Sequence, residues 1–321
     1  MNVAAIIFLL TGNSSIIFLG FLFNLFIVIM NVTWWLKGKA LQSIEIIMTS
    51  LGFARIVLLI IYVFIMLIGN DLIVPVGTTE ILSHTVAIAM FVVFCSLWWG
   101  TVLGTFYCVK ITTYRNSLFL KLKMNISCVV PWMLVGSTVI SFIFCLPCLW
   151  VTFPRTLTSI DSGNISTNDL MPHFSPKYLN LIIINFVGAI IPLLIFCVSI
   201  YLLMASILKH TRNMKSNNSG FAKPQLEAHK NAVINMVSFL FFYLLYFVNS
   251  NLLLLSLHMN DPVFALLCCL CVTSYPSLHS ILLIVTNAKL KRCILSAFRA
   301  ILPNLFNNDK ESIGCVSSSF K

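Results

Sequence analysis

Residues 178–208 read YLNLIIINFVGAIIPLLIFCVSIYLLMASIL, thirty-one residues without a charge, followed at once by Lys209 and Arg212. A helix rises about 1.5 Å per residue, so about 20 apolar residues cross the roughly 30 Å hydrocarbon core of a bilayer. This stretch is long enough and ends on a basic stop. Its apolar residues run continuously instead of alternating, which disfavours a barrel strand. In lipid an open chain must satisfy its own N–H and C=O groups, and a helix does so.

The same pattern recurs in both directions. Comparable spans lie at 6–32, 41–68, 81–109 and 126–150 before it, and at 232–257 and 263–285 after it. The 321 residues are 59% hydrophobic and only 9% charged. A soluble domain of that composition would expose large apolar patches and aggregate. The expected fold is an all-α membrane protein, a seven-transmembrane helix bundle.

The net charge of +11 is sorted by loop. Lys37 and Lys39 follow the first span; Lys110, Arg115, Lys121 and Lys123 follow the third; Lys209, Arg212, Lys215, Lys223 and Lys230 follow the fifth. Lys289, Lys291, Arg292, Arg299, Lys310 and Lys321 follow the seventh. The alternate loops hold only Arg155 and Lys177 among several acids. The positive-inside rule then gives the multi-pass chain an outer N-terminus and a cytoplasmic C-terminus, and the expected location is the plasma membrane. The first residues lack a positive n-region and a small-residue cleavage site, so they read as a short N-tail. The basic balance serves topology, and no nucleic-acid partner is expected.

Residues 1–288 are expected to form the bundle and 289–321 a cytoplasmic amphipathic helix and tail. Leu290, Ile294, Phe298, Ile301, Leu302 and Leu305 make one apolar stripe, with Lys289, Arg292 and Arg299 free to face lipid headgroups. Nine of the eleven cysteines lie in or beside spans and none in the outer loop 151–177, so they read as packing residues. Asn164 in that loop opens an Asn-Ile-Ser sequon and is the expected glycosylation site. The sequons at Asn31, Asn125 and Asn217 fall on the cytosolic side, and Asn13 lies too close to the membrane. There is no phosphate loop, no metal-ligand spacing and no nucleophile set, so no enzyme activity, cofactor or metal is expected.

Arg55 stands about fourteen residues into the second span. Arg at mid-bilayer costs about 2.5–3.5 kcal/mol on insertion scales, so it should face the bundle and find partners. Asn24, with Ser277 or Ser280, lies at suitable depth for a polar hub that rearranges on activation. Tyr107 and Lys110 close the third span, and His279 is expected as a neutral imidazole inside the bundle. Lys121, Lys123, Lys209, His210 and His229 join Lys110 on the cytosolic face, where a cytosolic partner would dock. A ligand entering from outside would meet Thr85, Ala89, Met90 and Val93 on span three and Asn185 on span five. Spans six and seven add Tyr246, Asn249, Cys269, Val272 and Thr273. That lining is mostly apolar and has no carboxylate, so it suits lipophilic molecules better than cationic amines.

Seven spans with a basic inner face and an interfacial eighth helix describe the G-protein-coupled receptor fold. The motifs narrow it. Leu103-Gly104-Thr105-Phe106-Tyr107-Cys108-Val109-Lys110-Ile111 resembles the LxxFYxxKI signature of the type 2, or bitter, taste receptors. Leu51-Gly52-Phe53-Ala54-Arg55 is similar to that family's LxxSR, with Ala54 for Ser. Phe119-Leu120-Lys121-Leu122-Lys123, Ser206-Ile207-Leu208-Lys209-His210 and Ala228-His229-Lys230-Asn231-Ala232 resemble its FLxLK, SLxxH and AHxxAxK, with Ile207 for Leu and Ile234 for the last Lys. His279-Ser280-Ile281-Leu282-Leu283-Ile284 with Asn287-Ala288-Lys289-Leu290-Lys291 resembles HSxxLIxxNxKLK. The missing outer-loop cysteine also agrees with the family, whereas Trp98 and Trp99 lie further inward than its usual mid-span Trp. The resemblance implies small-molecule bitter agonists and a heterotrimeric G protein of gustducin or inhibitory type. A pheromone-type chemoreceptor is the first alternative and a transporter the second.

Overall fold

The computed structural model describes residues 3–69, 79–112, 117–150, 176–216, 223–259 and 262–301. Seven helices in it are long and apolar enough to cross a membrane. They are α1 (Val3–Leu36), α2 (Ser43–Gly69), α3 (Thr79–Ile111), α4 (Ser117–Cys145), α5 (Pro176–Ser216), α6 (Lys223–Met259) and α7 (Pro262–Thr286). A short 3-10 helix, Leu146–Trp150, extends α4, and α8 (Ala288–Ile301) follows α7. The chain is an all-α, multi-pass membrane bundle.

The helices close into a ring. α1 packs on α2 and α7, α2 on α3, α5 on α3 and α6, and α6 on α7. α4 leans on α3 from outside. Burial grades accordingly: 67% of the span window of α3 and 61% of that of α7 are buried, against 28–39% elsewhere. Side chains on these two helices are the ones walled off from lipid. Phe18, Trp132, Tyr201 and Phe241 stand exposed on the outer surface, as expected where the solvent is hydrocarbon.

The helices overrun the apolar spans. α5 continues to Ser216 and α6 begins at Lys223, which shortens the inner loop expected over 209–230. Lys, Arg, Met and Gln are good helix formers, so nothing stops a helix when it leaves the membrane. At the far end of α4 the coil tightens to 3-10 geometry where Pro147 lacks the N–H that an α-helix would use.

α8 starts on a cap. The Asn287 side-chain oxygen accepts from the backbone N–H groups of Lys289 (3.0 Å) and Leu290 (3.2 Å). Leu290 is buried and Ile294 packs against the cluster built by α1–α4 and α7. Lys289 does not face headgroups as expected. It pairs with Glu45 at 2.5 Å and lies 3.6 Å from the centre of the Trp34 ring. Glu45 also accepts from the N–H of Gln42 (3.0 Å), sealing the start of α2. The Glu45 side chain is 7% exposed and that of Lys289 45%. Removing the cation therefore strands a buried anion, whereas removing the anion frees an ammonium that water can reach. Lys289→Ala is expected to speed amide hydrogen exchange across α8 and to cost more thermal stability than Glu45→Gln. A larger loss in Glu45→Gln would contradict the asymmetry.

Candidate functional site

Arg55 is fully buried at the centre of the bundle. Its Nη2 donates to His279 Nδ1 at 2.7 Å and lies 3.4 Å from the Tyr275 hydroxyl; its Nη1 donates to Ser280 Oγ at 3.4 Å. The guanidinium carbon sits 5.2 Å from the centre of the Tyr275 ring. These partners carry no negative charge. Arginine can only donate, so His279 Nδ1 must accept, which makes the imidazole neutral with its proton on Nε2. Ser280 shares its hydroxyl hydrogen between Asn24 Oδ1 (2.7 Å) and the Pro276 carbonyl (2.6 Å). Asn24 in turn donates to the carbonyls of Gly20 (2.8 Å) and Pro276 (3.2 Å).

The hub uses one of the two serines left open and gains one partner that was not expected. Ser280, not Ser277, bridges Arg55 to Asn24; the Ser277 hydroxyl turns back to the Thr273 carbonyl at 3.1 Å. His279 and Tyr275 supply the nearest contacts, and Tyr275 was not anticipated. The reason is helical phase. Steps of three and four residues put Tyr275 and His279 on the face of α7 toward α3 and α6, while Thr273 and Ser277 turn toward α1.

A second polar cluster sits one to two turns nearer the basic end. Asn235 Nδ2 lies 3.5 Å from the Tyr107 hydroxyl, and Thr286 Oγ1 lies 2.6 Å from Asn235 Oδ1. α3, α6 and α7 are tied there by three side chains. Sequence reading had found only Tyr107, because a lone Asn or Thr in a span carries no pattern. Phe239 of α6 fills the space above, 4.9 Å from the His279 ring and 4.7 Å from Phe196 of α5. Gly100 and Gly104 on α3 make room for these two rings, since a Cβ at either would strike Phe239 or Phe196.

Lys110 is exposed, 5.3 Å from the centre of the Phe106 ring, and Lys121 is exposed on α4. Lys123 instead donates to the Thr112 carbonyl at 2.9 Å, which fixes α4 to the end of α3. The side chains of Lys209, His210 and His229, and Asn164 entirely, lie outside the described residues.

Of the expected ligand residues, Ala89, Val93, Tyr246 and Val272 come together in one buried cluster of α2, α3, α5, α6 and α7, with Met90 packed against it. Asn185 joins α5 to α6 through Ser250 Oγ (3.0 Å). Tyr243, which sequence reading passed over, does the same through the Ala189 carbonyl (2.7 Å). Thr85 spends its hydroxyl on Ile81 O, and Asn249 its amide on Leu245 O, both within their own helices. Cys269 and Thr273 bond to α1 instead. Thr273 Oγ1 donates to Asn13 Oδ1 at 2.6 Å, and Asn13 Nδ2 approaches Cys269 Sγ at 3.4 Å. They form a clasp between α1 and α7, and Asn13, fully buried in it, is barred from modification by packing. The Oδ1 of Asn185 has no hydrogen-bond partner among the described residues. A buried acceptor of that kind, at the edge of an apolar cluster, suits a ligand that donates one hydrogen bond.

A family model described as taste receptor protein (TAS2R) matches residues 1–301. The chain is 32% identical over 288 residues to taste receptor type 2 member 4 of Homo sapiens, covering 85% of this chain and 91% of that one. It is 31% identical over 288 residues to member 4 of Pongo pygmaeus, with the same coverage. To member 119 of Mus musculus it is 32% identical over 286 residues, covering 85% and 79%.

Proposed function

This chain belongs to the type 2 taste receptor family, and from that premise we propose that it is a plasma-membrane receptor, with its N-terminus outside and its basic end in the cytosol, that binds lipophilic bitter agonists and activates a gustducin- or inhibitory-type heterotrimeric G protein. The observation that carries the switching half is the buried Arg55, whose hydrogen-bond partners among the described residues are neutral and all on α7. An intramembrane charge with only neutral partners is expensive, and a small rearrangement of α7 redistributes its hydrogen bonds.

The agonist site is assigned to the outer part of the cluster, with Ala89, Met90, Val93, Tyr246 and Val272 as walls and Asn185 as polar anchor. Cys269 and Thr273 act on it indirectly, through the α1 clasp. An agonist shifts the bundle only by binding one arrangement better than the other. Tyr107 with Asn235 and Thr286 holds the basic ends of α3, α6 and α7 together, and the G protein meets Lys110 and Lys121 when they part. Lys209, His210 and His229 extend that surface.

The test is agonist-evoked calcium release in cells carrying a promiscuous gustducin-like Gα, with a panel of bitter compounds. A dose-dependent signal above mock supports the reading; substrate flux without G-protein signalling overturns it. Thr286→Val removes one link of the lock. An interhelical hydrogen bond in a membrane is worth about 0.6 kcal/mol on average, so basal signalling is expected to rise about threefold. Unchanged basal activity at equal surface expression would remove the lock from the mechanism.

A further inference from the structure

The two polar clusters do not touch, yet what lies between them is a cleft with a free volume of about 10 Å³. Its walls include His279, Tyr107, Asn235, Met236, Phe196 and Phe239. That is the room one water molecule needs, at the lower limit, provided polar partners are present. They are. His279 Nε2 is buried and has no hydrogen-bond partner among the described residues. Because its Nδ1 is engaged by Arg55, Nε2 carries the proton and is a donor. The Tyr107 hydroxyl can both donate and accept, and Asn235 meets it from only one side.

We infer that this cleft is a binding site for a single water molecule, which accepts from His279 Nε2 and hydrogen-bonds the Tyr107 hydroxyl. The water joins the Arg55–His279–Ser280 hub to the Tyr107–Asn235–Thr286 lock, making one continuous chain from α2 through α7 to α3 and α6. No other ligand class fits as well. An apolar molecule leaves the Nε2–H unsatisfied, at the full desolvation cost of that group, and a cation is repelled by it. The ring of Phe239 covers the site from α6, so an outward movement of α6 opens it and frees the water. That functional half rests on the receptor reading above; occupancy of the cleft does not.

The test is a thermal-stability cycle on the purified full chain with Tyr107→Phe and His279→Asn. Asparagine keeps an acceptor near the place of Nδ1 for Arg55 but lacks the Nε2–H. Side chains joined by a shared water couple, so the double variant is expected to lose less than the product of the single effects. The expected discrepancy is about threefold in the unfolding equilibrium, the size of one average interhelical hydrogen bond. Strict additivity overturns the proposal. A density map of the unliganded receptor provides a second readout that needs no variant to fold. A peak within hydrogen-bond distance of both atoms supports the water; a map that resolves other buried waters and none here overturns it. Additive stabilities in a chain that still answers agonist sink the water and leave the receptor. Coupling in a chain that never signals supports the water and sinks the receptor.

Discussion

Arg55→Met is expected to leave a folded bundle at the cell surface whose agonist response is weakened by about tenfold or more, within the usual range of allosteric coupling. Methionine has similar length and no charge. Replacing a buried charge by an apolar side chain of like volume is often neutral or stabilising, because the desolvation cost disappears. Two of the three partners it abandons are cheap to leave. Ser280 keeps Asn24 and the Pro276 carbonyl, and the Tyr275 hydroxyl keeps Ser96 Oγ at 3.3 Å. His279 loses its 2.7 Å contact and with it the reason for its tautomer. Removal of the buried charge offsets that loss and stability holds, while the hydrogen bonds that tie α2 to α7 here are gone. Surface labelling, melting temperature and concentration–response curves on the same cells check this. A variant that signals normally would make Arg55 a structural clamp.

Gly20→Val is expected to have the largest effect on stability. A Cβ at Gly20 would lie inside the envelope of the Ser277 side chain and 3.0 Å from the Ser277 Cα. A side-chain tip can move aside, but a helix backbone cannot, so α1 must back away from α7. Asn24 lies one turn along α1 and would be drawn off the Pro276 carbonyl and Ser280. Close approach at small residues is what holds helices together where lipid supplies no hydrophobic drive. Overpacking typically costs about 1–3 kcal/mol, and here two hydrogen bonds across α1 and α7 weaken as well. A lower melting temperature and poor surface delivery are expected. Gly136→Val is the control, since a Cβ there meets nothing within 4 Å. Equal behaviour of the two variants would contradict the argument.

Much of the site was legible, and unevenly so. Arg55 announces itself, because one charge in twenty-odd apolar residues must have a reason. Ser280, Asn24 and His279 follow from depth. Tyr275, Asn235, Thr286 and Asn13 do not, since neutral polar residues are common in spans and their worth depends on what another helix brings opposite them. The Glu45–Lys289 pair was not legible either, since its members lie at opposite ends of the chain and only the packing of α8 brings them together.

The sequence by itself determined that the chain crosses a membrane seven times, which loops share a side, and that an amphipathic helix follows the last span. Those are properties of single segments: apolar length, flanking charge and helical period are local, and lipid enforces them one helix at a time. Only the tertiary structure decided which of two serines meets Arg55 and that Cys269 and Thr273 turn to α1. It alone set Asn235 between Tyr107 and Thr286. Each of these depends on the rotation of one helix against another. One residue turns a helix by about 100°, so a face read correctly in sequence still points wherever packing sends it.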